Sequence, residues 1–233
     1  MINEGIDPGR FRAELAQRGR VQVPSYLQEE AAERLGRCLA EEVPWTLAWR
    51  GAGEPGVLAH DELRAKDGAA YAELLRTLAE QARGRYGFAY ESYMMVRAYN
   101  EGRDPGLLLH QVLEFLNSPE HLTFTRMLTG ENRIRRVSAQ ATRYRAGHFL
   151  RRHNDSSESD QRLYAYVMNL SRDWQADWGG QLQFLDPEGR VLETFLPFWN
   201  SLSLFKVPAD HLVTPVAAWA EQDRCSITGW FQA

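Results

Sequence analysis

The sequence predicts an α+β protein in which helices of the first half support a β-sandwich or barrel in the second. Three observations carry this. Apolar residues recur at helical spacing between about residues 25 and 130. From about residue 134, short runs rich in aromatic and β-branched residues alternate with turn residues. No linker rich in Ser, Gly or Pro separates the two stretches and no internal repeat is visible, so residues 1–233 read as a single domain.

In SYLQEEAAERLGRCLAEEV, Leu27, Ala31, Leu35 and Leu39 share one helical stripe, with Ser25 as the expected N-cap and Pro44 beyond the end. AAYAELLRTLAEQARGRY repeats the pattern, placing Leu74, Leu75 and Leu78 together. FAYESYMMVRAY, Phe88 to Tyr99, is aromatic and partly alternating, which predicts a strand. DPGLLLHQVLEFLNSPEHLTFTRMLTG predicts two short helices split at Ser118-Pro119. Beyond them VSAQATRY, RLYAYVMNL, GGQLQFL, VLETFLP, NSLSLFKV, HLVTPV and RCSITGWF each predict a short strand, with DPEG as a turn. Short strands spaced by turns indicate a sandwich or barrel, not a βαβ arrangement.

A chain of 233 residues can bury one sizeable core, and 44% hydrophobic with 25% charged residues excludes wholesale disorder. A net charge of −4 gives no electrostatic reason for a polyanion partner, so no nucleic acid is expected. Cys38 and Cys225 stand far apart, without a CxxC or a disulfide framework. MINEGIDPGRFRAELAQRGR is charged throughout and lacks an apolar core, and no run approaches the roughly 18 apolar residues of a membrane helix. The expectation is a cytoplasmic protein without a membrane partner. Nothing in the composition sets an oligomeric state.

The stretch RRHND holds His153 and Asp155 two positions apart. Such a pair is weak alone, since a shuffled chain of this composition holds roughly 0.3 of them. On an extended strand residues i and i+2 point to one face, so both side chains would project together. His211 opens a β-like run 56 residues after Asp155. Two His and one carboxylate form the triad that leaves coordination positions open on non-haem iron(II). Arg224 follows 13 residues later in RCSITGWF, with Ser226 on the same strand face. A guanidinium there suits a carboxylate, which it binds bidentately, and so implies a dicarboxylate co-substrate such as 2-oxoglutarate.

ATRYRAGHFLRRHND, RLYAYVMNLSRDWQADWGGQLQF, PFWNSLSLFKVPADHLVTPV and RCSITGWF together resemble the iron(II)/2-oxoglutarate-dependent dioxygenases, most closely their prolyl 4-hydroxylase-like branch, over roughly Ser138 to Phe231. The resemblance implies a double-stranded β-helix (jelly-roll) core over about 134–233, buttressed by helices over about 25–130. It assigns His153, Asp155 and His211 to the metal and Arg224 to 2-oxoglutarate, all four as catalytic residues. Tyr144 matches a Tyr lining the co-substrate pocket, and Ser226 joins it as a cofactor-binding residue. Fe(2+), 2-oxoglutarate and O2 follow as cofactors, with L-ascorbate as a candidate reductant. The implied reaction is hydroxylation of an unactivated C–H bond, first of all on a prolyl residue of a protein or peptide. A free amino acid or a secondary metabolite as substrate is the alternative, and a cupin-like metal-binding protein or isomerase without 2-oxoglutarate is the reading from another class.

The sequence departs from the branch in two places. Where related prolyl hydroxylases carry a Tyr that reaches the far carboxylate, this chain has Asn169. Where nucleic-acid demethylases carry a second Arg, it has Trp230, which argues against base repair. His60, His110, His121 and His148 have no partner pattern and are expected to be structural or at the surface. Tyr90, Tyr93, Trp174 and Trp178 are expected to serve packing, and Arg151 and Arg152 salt bridging.

Overall fold

Leucine stripes in the first half of the chain become helices laid on the outside of a curved sheet. The computed structural model describes residues 1–157 and 159–233. α1 (Pro8–Arg18) starts behind Asp7, whose carboxylate accepts from the Gly9 N–H, and ends at the left-handed Gly19. α2 (Glu29–Glu41) buries Ala32, Leu35, Cys38 and Leu39. Two short helices, α3 (His60–Ala65) and α5 (Met95–Asn100), flank α4 (Gly68–Gln81) and precede α6 (Leu108–Leu116) and α7 (Pro119–Thr129). Ser118 splits the last two as expected, its hydroxyl accepting from His121 N and so capping α7.

The strands form one continuous sheet among the described residues, paired antiparallel throughout. Its order begins with β1 (Arg20–Val23), β11 (Ser201–Lys206), β8 (Arg162–Asn169), β13 (Arg224–Gln232), β6 (Gln140–Tyr144) and β4 (Phe88–Tyr93). It continues through β7 (Phe149–His153), β12 (His211–Val213), β9 (Leu182–Leu185) and β10 (Val191–Phe195). β4 pairs with both β6 and β7 and so turns one half of the sheet onto the other. The hairpin β2 (Thr46–Arg50) and β3 (Gly56–Leu58) extends from β4, and β5 (Arg136–Val137) adds to the end of β13. This nearly closed roll is the double-stranded β-helix.

Alternation along the strands decides what lies on each side. Ala141, Met168, Leu202, Leu204 and Ile227 face outward into a core shared with α2 and α6. A second patch joins Leu75 and Leu78 of α4 to Ala89 and Phe149. The inner face holds Thr142, Val167, Ser226 and Thr228 and lines a cavity.

Two local expectations fail. Ser25 does not cap α2: it sits in a left-handed turn, and the helix starts at Glu29 behind Gln28 without a side-chain cap. Its place is taken by Asn200, whose amide brackets the Leu27 backbone, accepting from its N–H and donating to its carbonyl at 2.8 Å each. The run from Phe88 to Tyr99 is half strand, because β4 ends at Tyr93 and Met95 begins α5. The N-terminal part also contributes β1, β2 and β3, which are too short to show a period of their own.

Candidate active site

β12 pairs with β7 so that His211 stands opposite His153, which brings their rings to 4.1 Å between centroids. Each Nδ1 donates to a carbonyl two residues back, His153 to Arg151 at 2.9 Å and His211 to Ala209 at 2.7 Å. A carbonyl can only accept, so both Nε2 lone pairs are left free for a ligand. The Asp155 carboxylate completes the set, with Oδ1 3.4 Å from His153 Nε2 and Oδ2 3.6 Å from His211 Nε2. Donor atoms this close can share one cation held at roughly 2.1 Å from each.

The three donors meet as expected, but Asp155 arrives by another route. β7 ends at His153, and Asp155 has φ +61°, so the pair is not an i, i+2 couple of one pleat. The left-handed turn swings the carboxylate back beneath the two rings. Arg162, at the start of β8, holds that turn by donating from its guanidinium to the Asp155 carbonyl at 3.3 Å.

Protonation suits a cation. Burial pushes the His211 pKa down to about 4, which keeps the ring neutral. Burial works to raise the Asp155 carboxyl, yet His153 and His211 beside it hold it below its ordinary value.

Arg224, Ser226 and Tyr144 line the same cavity, of about 190 Å³. Arg224 is 2% exposed and its Nε has no hydrogen-bond partner among the described residues. Its guanidinium lies 5.0 Å over the Tyr144 ring, which is itself stacked on Tyr90. Among the described residues no carboxylate pairs with it, and burial lowers its pKa. An uncompensated buried cation is costly, so this one marks where an anion fits. The Ser226 hydroxyl is 2.7 Å from that of Thr142, which also lies 3.5 Å from the Ser226 carbonyl; with Thr142 donating to the Ser226 hydroxyl, the Ser226 hydrogen is available to a ligand.

Register explains why hydroxyls collect here. Ser201, Asn169, Ser226, Thr142, Ser92 and Thr46 are successive cross-strand partners and make a polar row through the sheet. Asn169 does not reach the cavity lining. Its amide donates to the Ser201 and Ser203 hydroxyls at 3.2 Å each.

Sequence reasoning missed Thr142, Gln140, Tyr86 and Arg162, all of which line the cavity, and set aside Tyr90 and Trp230, which line it too. Arg162 stacks on Trp230 at 3.7 Å. Trp174 and Trp178 are core, packed with Tyr144, Val213 and Val216. Tyr93 is also outside the cavity, bonded to Asp104. His121 and His148 are buried structural residues, bonded to Tyr26 and Tyr71. Arg152 pairs with Asp210, whereas Arg151 donates to the Ala82 carbonyl. Cys225 faces away from the cavity, and burial pushes its thiol up to about 12, which leaves it unreactive.

Residues 139–232 match the family model of the 2OG-Fe(II) oxygenase superfamily. A stretch of 136 residues is 32% identical to prolyl 3,4-dihydroxylase OGFOD1 of Ostreococcus tauri, covering 53% of this chain and 26% of that protein. The chain therefore spans about a quarter of the length of that relative. The fold is similar to a Pseudomonas putida prolyl-4-hydroxylase, with TM-score 0.57 and 21% identity over 97% of this chain and 98% of that one. It is similar also to a Trichoplax adhaerens prolyl hydroxylase solved with a hypoxia inducible factor peptide, with TM-score 0.58 and 17% identity over 97% and 88% of the two chains.

Proposed function

We propose, from the premise that residues 139–232 form a 2OG-Fe(II) oxygenase domain of the prolyl hydroxylase-like kind, that the protein hydroxylates a prolyl residue of a protein or peptide. The observation that carries this is the pairing, in one cavity, of an open His–Asp–His donor set with a buried guanidinium that has no carboxylate partner among the described residues. The donor set suits iron(II), and the orphaned guanidinium suits the far carboxylate of 2-oxoglutarate. When bound, iron, 2-oxoglutarate and oxygen together supply the oxidising power for C–H hydroxylation.

The chain's own residues do the rest. His153, Asp155 and His211 hold the metal, and the Nδ1 bonds of both His residues fix the rings that present it. Arg224 binds the far carboxylate, with the Ser226 hydroxyl donating beside it and Tyr144 shaping the wall. Tyr90, Phe205 and Trp230 limit water around the reacting centre. No side chain needs to act as a general base. A cupin-like metal protein that does not use 2-oxoglutarate would leave Arg224 buried to no purpose.

The test is mass spectrometry of peptides incubated with the protein, iron(II), ascorbate and 2-oxoglutarate. The expected result is one oxygen atom added at proline, with succinate formed only when oxygen is present. Iron-dependent activity that needs no 2-oxoglutarate would overturn the proposal.

A further inference from the structure

We infer that the turn Trp178-Gly179-Gly180 acts as a spacer that positions Arg224 relative to the metal site, and that Gly180 leaves the room its stem needs. This rests on the proposed role of Arg224. A dicarboxylate of fixed length bound at both ends requires those ends to be held at a fixed separation. The turn touches the elements that carry both.

On one side it is tied to the exit of β12, the strand of His211. Gly180 N donates to Thr214 O at 3.2 Å and Ala217 N donates to Trp178 O at 2.9 Å. A Cβ on Gly179 would stand 2.0 Å from the Pro215 carbonyl, so the turn is pressed against that backbone. On the other side lies Arg224. A Cβ on Gly180 would stand 3.1 Å from Arg224 Cδ, 3.1 Å from the Trp174 ring and 3.4 Å from Val216.

Of these neighbours Trp174 is braced. Its indole N–H donates to the Gly179 carbonyl at 3.0 Å, and its ring meets Trp178 edge to face at 5.2 Å. The Tyr144 ring lies under the guanidinium. An added methyl group at residue 180 therefore displaces the arginine stem by a few tenths of an ångström, along with the charge at its end. Gly180 and Trp174 are positioning residues, acting on the co-substrate through Arg224.

Gly180 has φ +61°, so an alanine there is also strained, and a control must carry the same strain alone. Gly19 provides it, with φ +69° and nothing within 4 Å of an added Cβ. The experiment measures 2-oxoglutarate affinity by anaerobic calorimetry on manganese-loaded protein, alongside metal stoichiometry and melting temperature. Gly180→Ala should weaken 2-oxoglutarate roughly tenfold with full metal content, as expected of a sub-ångström misplacement of a binding group. Gly19→Ala should lower the melting temperature similarly and leave affinity unchanged. Trp174→Phe, which removes the indole N–H and the ring atom nearest the Cβ position, is the second variant and should weaken affinity in the same direction. Wild-type affinity in Gly180→Ala or in Trp174→Phe, beside a weakened Arg224→Met, overturns the inference alone. Wild-type affinity in Arg224→Met overturns the assignment of the anchor as well.

Discussion

Replacing Arg224 with Met keeps the length and apolar character of the stem and removes only the charge. In the unliganded protein that charge is 2% exposed, has no carboxylate partner among the described residues and keeps an unbonded Nε. Its removal relieves a desolvation cost, so unliganded Arg224→Met should melt at or above the wild-type temperature. Binding should move the other way. Truncating one partner of a buried charge pair costs about 2–5 kcal/mol, and about 1.4 kcal/mol is tenfold in affinity, so the dissociation constant should rise at least roughly thirtyfold. Arg224→Lys should fall between, because a point charge replaces a two-pronged fork. Differential scanning calorimetry with and without 2-oxoglutarate reads both effects. At a ligand concentration 100 times the wild-type constant, wild type gains about 2.7 kcal/mol and the variant should gain little. An unchanged ligand-induced shift, or a destabilised unliganded Arg224→Met, would refute the reasoning, since either means that the charge is compensated inside the protein.

The Ser226 and Thr142 hydroxyls, 2.7 Å apart, act as one donor unit, so Ser226→Ala and Thr142→Val should each weaken 2-oxoglutarate several-fold and the double variant little more than either. Strict additivity in a calorimetric double-mutant cycle would contradict the pairing. Stability should fall on mild acidification. Burial holds His121 at about 4 and His148 at about 3, below the value of about 6.5 in the unfolded chain. Between those limits the unfolded state binds the extra protons, so each residue removes about 1.4 kcal/mol per pH unit as pH drops below 6.5. Urea unfolding between pH 7 and 5 checks the sign, and a flat profile there would be inconsistent with neutral buried imidazoles.

The donor set was legible in the sequence because its residue types are chemically specific and its spacing follows a pattern shared with known dioxygenases. How Asp155 reaches the two imidazoles was not. Its positive φ is stabilised by a bond from Arg162, a contact made through the fold and not through neighbours in sequence. The hydroxyl row was invisible for a related reason. Ser and Thr occur on either face of a strand, and only the register of β11, β8, β13, β6 and β4 aligns Ser201, Ser226, Thr142 and Ser92. Helices with long apolar stripes, such as α2 and α4, were readable. β1, β2 and β3 were not, since partners in distant strands supply what three to five residues cannot encode. The WGG segment was recognisable as a turn, but what it touches emerged from the packing around Gly180.

Iron content bears most directly on the claim that His153, Asp155 and His211 form an open metal site. Protein loaded anaerobically with iron(II) and then desalted should retain one iron per chain as wild type. His211→Ala should retain almost none while keeping a cooperative unfolding transition, because two remaining ligands do not hold a labile cation through desalting. Stoichiometric iron in a folded His211→Ala would contradict the account.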